Sequence, residues 1–482
     1  MYNISIKIVK IIFTFIILKK QKPSIMRRIL LTAIIAASFT SGYSQWTNLF
    51  DGRSLNGWVR RGGEAPYKVE NGCIVGTSVL FTDNTFLCTE KHYADFILEL
   101  EMKVDDKLNS GVQIRSNSYP DYMNGRVHGY QVECDPDPVR ARFWSGGIYD
   151  EARRKWLYDL ENNEAGRKSF KNGEWNLYRI EAYGDTIRTW INGIPTAYII
   201  DNMTPSGFIG LQVHGIGKDS AKLNTQVMWR NIRIITDAKA IEKNKTQSPL
   251  TPKTYLYNKL SDQEKAKGWQ LLFDGVSSSG WRGAYKNSFP EQGWIIRDQM
   301  LTVLKSGGAE SKNGGDIVTI NQYKDFHLKF DFMLTDSANS GVKYFVTLNE
   351  KNNQGSAFGC EFQILDDARH PDARAGRDGN RTIGSLYDLI TADTSKVVKK
   401  NGEWNSGEII SRGSHVEHWL NGKKIVEYER GSETFRKLVA MSKYADAKYN
   451  INGRFGEAPQ GHLLLQDHGD RVSFTNIKIK KF

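Results

Sequence analysis

The sequence predicts an all-β protein built as two tandem β-sandwich or jelly-roll domains. Six short motifs occur twice in the same order. They are Phe50-Asp51-Gly52…Gly57-Trp58 and Phe273-Asp274-Gly275…Gly280-Trp281; Asn109–Val112 and Asn339–Val342; Gly173–Asn176 and Gly402–Asn405; Trp190–Gly193 and Trp419–Gly422; Leu211–Gly215 and Leu465–Gly469; and Asn231–Ile234 and Asn476–Ile479. The copies lie too far apart for a solenoid, whose repeats span about 20–50 residues, so a whole domain is duplicated. Apolar residues recur at period two: Phe96, Leu98, Leu100, Met102 and Val104, then Phe326, Leu328, Phe330, Phe332 and Leu334. That alternation reads as half-buried strands. Many short strands between Gly, Asn and Asp turns, with no long helical period, favour a sandwich over an α/β layer.

The first 44 residues stand apart. Met26-Arg27-Arg28, the apolar run Ile29–Ala37 and the small residues up to Ser44 have the order of a secretory signal peptide. The expected start is Met26 and the expected mature terminus is near Gln45 or Trp46, which places the protein outside the cytoplasm, in the periplasm. The upstream run Ile11–Leu18 is short for a bilayer span and ends in Lys19-Lys20, so an N-terminal anchor is the competing reading. Those 44 residues hold seven Lys/Arg and no Asp/Glu, and removing them lowers the net charge from +12 to +5. A weakly basic mature chain of this length gives no reason to expect nucleic acid. No membrane span is expected in it. Arg140, Arg142 and Arg153-Arg154-Lys155 read as solvated loops.

Repeat one is expected over 46–237 and repeat two over 269–482. The segment 238–268 has a linker's composition, ending in the capping-box pattern Ser261-Asp262-Gln263-Glu264 ahead of a short helix. Of the four cysteines, Cys73 and Cys88 flank a hairpin and are placed to pair. Cys134 and Cys360 read as buried small hydrophobes, and no metal-type Cys/His spacing occurs.

Alternation also assigns polar faces. Gln131, Glu133 and Asp135 share the face opposite Tyr130, Val132 and Cys134; Glu361 and Gln363 share the face opposite Cys360, Phe362 and Ile364. Each repeat therefore carries one carboxylate and one amide on one strand face, in swapped order. Gln212/His214 and Gln466/His468 fall on the polar face of a second strand. Arg115 and Lys343 follow the Asn-Ser-Gly-Val motifs, and Trp190 shares a face with Arg188. Carboxylate, amide, imidazole and indole on one sheet face resemble a sugar cleft, since amides and carboxylates match hydroxyls and an aromatic face stacks on a pyranose ring. The bland alternatives are a solvated strand face for Glu133 and Glu361 and a packed strand-end histidine for His214 and His468. Tyr149-Asp150 and Tyr387-Asp388 follow long loops and suit substrate binding or, equally, loop stapling. Asp366, Asp367, His370 and Asp372 match no known metal cage and read as a polar loop. No dinucleotide fingerprint, P-loop, HExxH or GxSxG is present.

Together these motifs resemble the 3-keto-disaccharide hydrolase domain family, over Trp46–Ile235 and Trp269–Phe482. The resemblance implies concanavalin A-like jelly rolls in an exported bacterial enzyme acting on 3-keto-glycosides. Repeat two carries the Glu-x-Gln-Ile-Leu-Asp-Asp form, whereas repeat one departs from it as Gln131-Val132-Glu133-Cys134-Asp135. Oxidation at C3 acidifies the C2 proton; a base removes it, the C1 substituent leaves, and water addition completes a net hydrolysis. The expected catalytic residues are Glu133, His214, Arg115, Glu361 and His468. The expected binding residues are Gln131, Gln212, Tyr149, Asp150, Trp190, Lys343, Gln363, Tyr387 and Gln466. Glu133 or Glu361 is the base, Arg115 or Lys343 the oxyanion partner, and His214 or His468 orients the leaving group or holds a divalent metal, no cofactor being certain. A separate sugar 3-dehydrogenase is the expected partner in the pathway. The alternatives are a lectin without turnover, or one binding and one catalytic repeat.

Overall fold

A computed structural model describes residues 46–136, 141–307, 310–348, 357–447, 449 and 454–482. The expected signal peptide and Arg140 lie outside the described residues.

Each repeat is a pair of antiparallel-rich sheets facing each other across one core. In repeat one, Phe96–Val104 runs through the middle of a nine-stranded sheet, between Asn176–Tyr183 and Gln226–Ile235. Its Phe96, Leu98, Leu100 and Met102 are fully buried against Val112, Ile114, Tyr130, Val132 and Leu211 of the facing seven-stranded sheet. Phe326–Leu334 repeats the arrangement in an eight-stranded sheet, packed on Val342, Tyr344, Phe362 and Ile364 of a five-stranded one. Burying each such side chain stabilises the fold by about 1.5–3 kcal/mol, which drives the sheets together.

The seven-stranded sheet orders its strands Lys155–Tyr158, Ile148–Glu151, His128–Cys134, Ser110–Asn117, Phe208–Val213, Thr85–Thr89, Trp58–Gly62. The five-stranded sheet runs Trp281–Gly283, Ile317–Thr319, His462–Leu465, Asn339–Thr347, Phe358–Leu365. Because Tyr130, Val132, Cys360 and Phe362 fill the cores, their neighbours in sequence point to the opposite face. Asn192-Gly193 and Asn421-Gly422 each form a two-residue hairpin turn with positive φ at both positions, the conformation that Asn-Gly adopts most readily.

The segment 238–268 is more ordered than its composition predicts. Helix Ala238–Asn244 seats Ala240 and Ile241 against Ile97 and Ile235, and Lys253–Tyr255 adds a parallel strand beside Ile194–Asp201. The capping box is formed: Ser261 Oγ accepts from the Glu264 N–H at 3.2 Å, and the Glu264 carboxylate accepts from the Ser261 N–H at 2.9 Å.

The two repeats are clasped. The hairpin Trp294–Arg297/Met300–Val303 turns through Asp298 and Gln299, and its tip enters repeat one. There Asp298 accepts from Thr204 Oγ1 at 2.9 Å and lies 3.6 Å from Arg153. Arg297 and Arg471 both donate to Asp121. The cysteines correct one expectation: all four are buried and free, and Cys73 and Cys88 sit on strands of different sheets, so they flank no hairpin and form no disulfide. Among the described residues no helix is long and apolar enough to cross a membrane.

Candidate functional site

A cleft lies on the outer face of each smaller sheet. The repeat-two cleft, about 390 Å³, is floored by Glu361, Gln363 and Gln466 and walled by His468, His370 and Tyr387. The repeat-one cleft, about 430 Å³, has Gln131, Glu133 and Gln212 on its floor, with His214 and Tyr149 at the side.

The floors are flat because of the glycine in Asn-Ser-Gly-Val. Gly341 pairs with Gln363 across the ladder, and a Cβ there would sit 2.0 Å from Glu361 Oε1; a Cβ at Gly111 would sit 2.7 Å from the Gln131 side chain. Gly341→Ala is therefore expected to displace Glu361 and leave the β-framework standing. An ångström of misplacement typically costs about 10²-fold in rate. A variant with wild-type turnover and melting temperature would show that the carboxylate needs no fixed position.

In repeat two, Lys343 stands directly across from Glu361 on the neighbouring strand, buried, donating to the Ala357 carbonyl at 3.1 Å and lying 4.0 Å from Asp316. Burial pushes the Glu361 carboxyl above its usual range, while Lys343 and Lys443 pull it back. Burial likewise disfavours the Lys343 cation, but Glu361 and Asp316 outweigh it and raise its pKa. Tyr387 donates to Asp372 Oδ2 at 2.9 Å, and Arg381 donates to Asp372 Oδ1 at 2.7 Å. Lys443 comes from the insertion between Lys423–Glu429 and His462–Leu465, its backbone N–H held by Asp388 at 2.7 Å. Gln466 Nε2 donates to Glu310 at 3.2 Å, whereas its Oε1 is buried with no hydrogen-bond partner among the described residues.

His370, His468 and Asp470 bring one ligand atom each to within 4.8 Å of one another. Among the described residues His468 Nδ1 is buried and without a hydrogen-bond partner, which fits a metal-ligating nitrogen. One adjustment is needed: His370 Nδ1 accepts from the Asp372 N–H at 3.2 Å and must release that long bond for Nε2 to coordinate. Two imidazoles and a carboxylate suit a divalent first-row cation. A second grouping, His415, Glu417 and Glu427, lies on the other sheet and is more exposed.

In repeat one an amide relay holds the carboxylate. Gln113 Nε2 donates to Gln131 Oε1 at 2.7 Å, Gln131 Nε2 to Glu133 Oε1 at 2.6 Å, and Asn109 Nδ2 to Glu133 Oε2 at 3.3 Å. Burial, against those hydrogen bonds and with the charges of Asp135 and Glu151, pushes Glu133 up to about 8. A carboxyl with a folded pKa above its unfolded 4.5 binds its proton more tightly when folded. Its stabilising contribution is complete below about 4.5 and is lost as pH rises through about 8. Glu133→Gln should flatten the melting temperature over that window; a slope that persists would place the titration elsewhere.

Four expected residues lie off the clefts; one is Lys343, buried behind the repeat-two floor against the Ala357 carbonyl and Asp316. Arg115 sits on a β-bulge with φ of 44° and is buried, its guanidinium donating to the carbonyls of Ala94 and Gly184 and to Asp95. The bulge breaks the alternation that placed it beside Gln113. Trp190 is buried on the other, nine-stranded sheet, opposite Arg179 and Pro195. Asp150 belongs to the strand Ile148–Glu151, so it points away from Tyr149 and into ion pairs with Arg153 and Arg154. These two arginines are correspondingly no solvated loop: their side chains are 5% and 13% exposed. His370, read as part of a polar loop, turns into the repeat-two cleft. Asn109, Asn339, Trp156 and Lys443 also line the clefts without having been singled out; the first two were visible inside the repeated Asn-Ser-Gly-Val.

A family model described as the 3-keto-alpha-glucoside-1,2-lyase-like domain matches residues 45–235 and again 268–480. The chain belongs to that family. A 3-keto-disaccharide hydrolase of Bacteroides thetaiotaomicron is 34% identical over 230 residues, covering 45% of this chain and 79% of the relative. Two crystal structures of candidate glycosyl hydrolases from Parabacteroides distasonis are also similar. One is 29% identical, with a TM-score of 0.41, over 47% of this chain and all of the other. The second is 28% identical, with a TM-score of 0.34, over 44% of this chain and 99% of the other.

Proposed function

We propose that the protein is a carbohydrate-active enzyme that cleaves 3-keto-glycosides or 3-keto-disaccharides, with repeat two as its catalytic unit. The observation that carries this assignment is the buried Glu361 on a cleft floor, faced by Lys343 and flanked by the His370, His468 and Asp470 cluster. Membership of the family and the named relative support the substrate class.

Glu361, ionised, takes the C2 proton; its raised pKa makes it a stronger base than an ordinary carboxylate. The C–H electron pair moves to form the enediolate with the C3 oxygen, and Lys443 is placed at the cleft wall to face that negative charge. Return of the C3 carbonyl expels the C1 substituent, which takes the proton from Glu361, and water adding across C1 and C2 completes the hydrolysis. A divalent cation held by His370, His468 and Asp470 would polarise the C3 carbonyl. Gln363 and Tyr387 bind the hydroxyls that remain. A two-carboxylate glycosidase scheme fits less well, because the other cleft carboxylates are already engaged, Asp372 by Tyr387 and Arg381 and Glu310 by Gln466.

Each domain is read as a concanavalin A-like jelly roll. The Arg-rich, apolar and small-residue order of residues 26–44 supports export to the periplasm. The chemistry also requires an oxidant upstream, a sugar 3-dehydrogenase, since a plain glycoside has no acidic C2 proton. The test is aglycone release from a 3-keto-glucoside, with the unoxidised glucoside as control. Equal release from both, or from neither, would sink the reading.

A further inference from the structure

The two clefts share a floor and differ in what surrounds it. Asp470 has Ile216 as its counterpart, and the stretch from Asp135 to Tyr149 contains no histidine, so repeat one cannot assemble the His370, His468 and Asp470 grouping. The buried Lys343 has Gln113 as its counterpart, which feeds the amide relay onto Glu133 instead of presenting a cation.

Repeat one has an aromatic wall in exchange. Trp156 makes T-shaped contacts with Trp144 at 4.8 Å and Tyr149 at 5.4 Å, and Arg142, ion-paired to Asp135, lies over the Trp144 and Trp156 rings at 4.9 and 5.5 Å. Trp156 remains partly exposed at the cleft. On the floor, Gln212 is fully buried, yet among the described residues neither its Nε2 nor its Oε1 has a hydrogen-bond partner. A buried amide open at both ends is costly unless a ligand or water satisfies it. It asks for a group that donates and accepts together. A sugar hydroxyl does both, whereas a ketone oxygen only accepts, so oxidation at the ring position that meets Gln212 would leave its Oε1 unsatisfied.

We propose that the repeat-one cleft is a non-catalytic binding site for unoxidised, hydroxyl-bearing glycosides, with Gln212 reading hydroxyls and Trp156 stacking on the pyranose ring. Its volume of about 430 Å³ lies within the ~300–1,000 Å³ of small-ligand clefts. The inference rests on repeat two being the catalytic unit. It makes the protein a holder of the glycan from which its substrate is generated, independent of any metal.

The test uses the full chain carrying Glu361→Gln, titrated with methyl α-D-glucopyranoside and its β anomer while tryptophan fluorescence and heat are recorded. Saturable binding of at least one anomer is expected, unchanged by EDTA. Gln212→Leu should weaken it about tenfold, a loss of ~1.4 kcal/mol. Trp156→Ala, at the rim and less demanding of the fold, should weaken it comparably and remove the fluorescence response. Binding of neither anomer, binding abolished by EDTA, or binding indifferent to both substitutions would overturn the proposal. A separate outcome bears on the enzyme reading: if Glu133→Gln abolishes turnover of the 3-keto-glucoside and Glu361→Gln does not, cleavage stands but the repeats have exchanged roles.

Discussion

Replacing Glu361 by glutamine is expected to lower kcat on a 3-keto-glucoside by about 10²–10⁴-fold, the usual worth of a positioned general base. The change is nearly isosteric and leaves Gly341 and the strand pairing undisturbed, so the melting temperature should report a folded protein. The pH profile supplies an independent readout. A base must be ionised to act, and burial holds Glu361 above the normal carboxylate range. Wild-type kcat/KM should therefore rise with pH through a midpoint higher than that of a free glutamate, and the variant should lose that limb. Turnover that survives in the variant with its pH limb intact would remove Glu361 from the mechanism.

The second large effect is expected at the metal-ligating grouping. His468→Ala removes one of the three side chains that could hold a metal, together with the buried Nδ1 that has no hydrogen-bond partner among the described residues. Changes even to groups that only orient a ligand cost about 10–100-fold in metal affinity or activity, so loss of the ligand itself should cost at least that. Metal content after dialysis, read by elemental analysis on wild type, His468→Ala and Asp470→Asn, is the direct measurement. Wild type should retain a divalent ion and both variants should lose it. A wild type that stays metal-free and fully active would reduce the grouping to a substrate-orienting role. Repeat one gives an internal control, since Ile216 replaces the aspartate there.

Much of this was legible in the sequence because a strand writes its faces directly. Phe326–Leu334 alternates without a break, and the structure buries every second residue. The same rule put Glu361 with Gln363, and Glu133 with Gln131, on one face. It failed where the backbone departs from a plain strand. At Arg115 a bulge inserts a residue and sends the side chain to the other side. At Asp150 the pair that follows the long loop lies on the strand Ile148–Glu151, whose alternation sends Tyr149 and Asp150 to opposite faces. Trp190 is expected on the sheet face of the cleft but lies on the nine-stranded sheet, since alternation alone does not say which of two sheets a strand joins. His370 and Lys443 were beyond reach for another reason. They lie on insertions whose path is set by tertiary packing, and no local period marks the residue that will turn inward.

The clasp at Asp298 has a consequence for how the protein meets a polymer. Its tip reaches Arg153, which lines the repeat-one cleft, while its second strand, Met300–Val303, pairs with the strand that follows Asp470. Two clefts joined by a slack tether would each search solution alone. Clefts held by such a wedge present a glycan already caught in one with the other at a fixed span. The second encounter becomes intramolecular, with an effective concentration set by geometry and not by dilution, in the millimolar range for short connections. Chains long enough to bridge that span gain avidity, and shorter ones gain none.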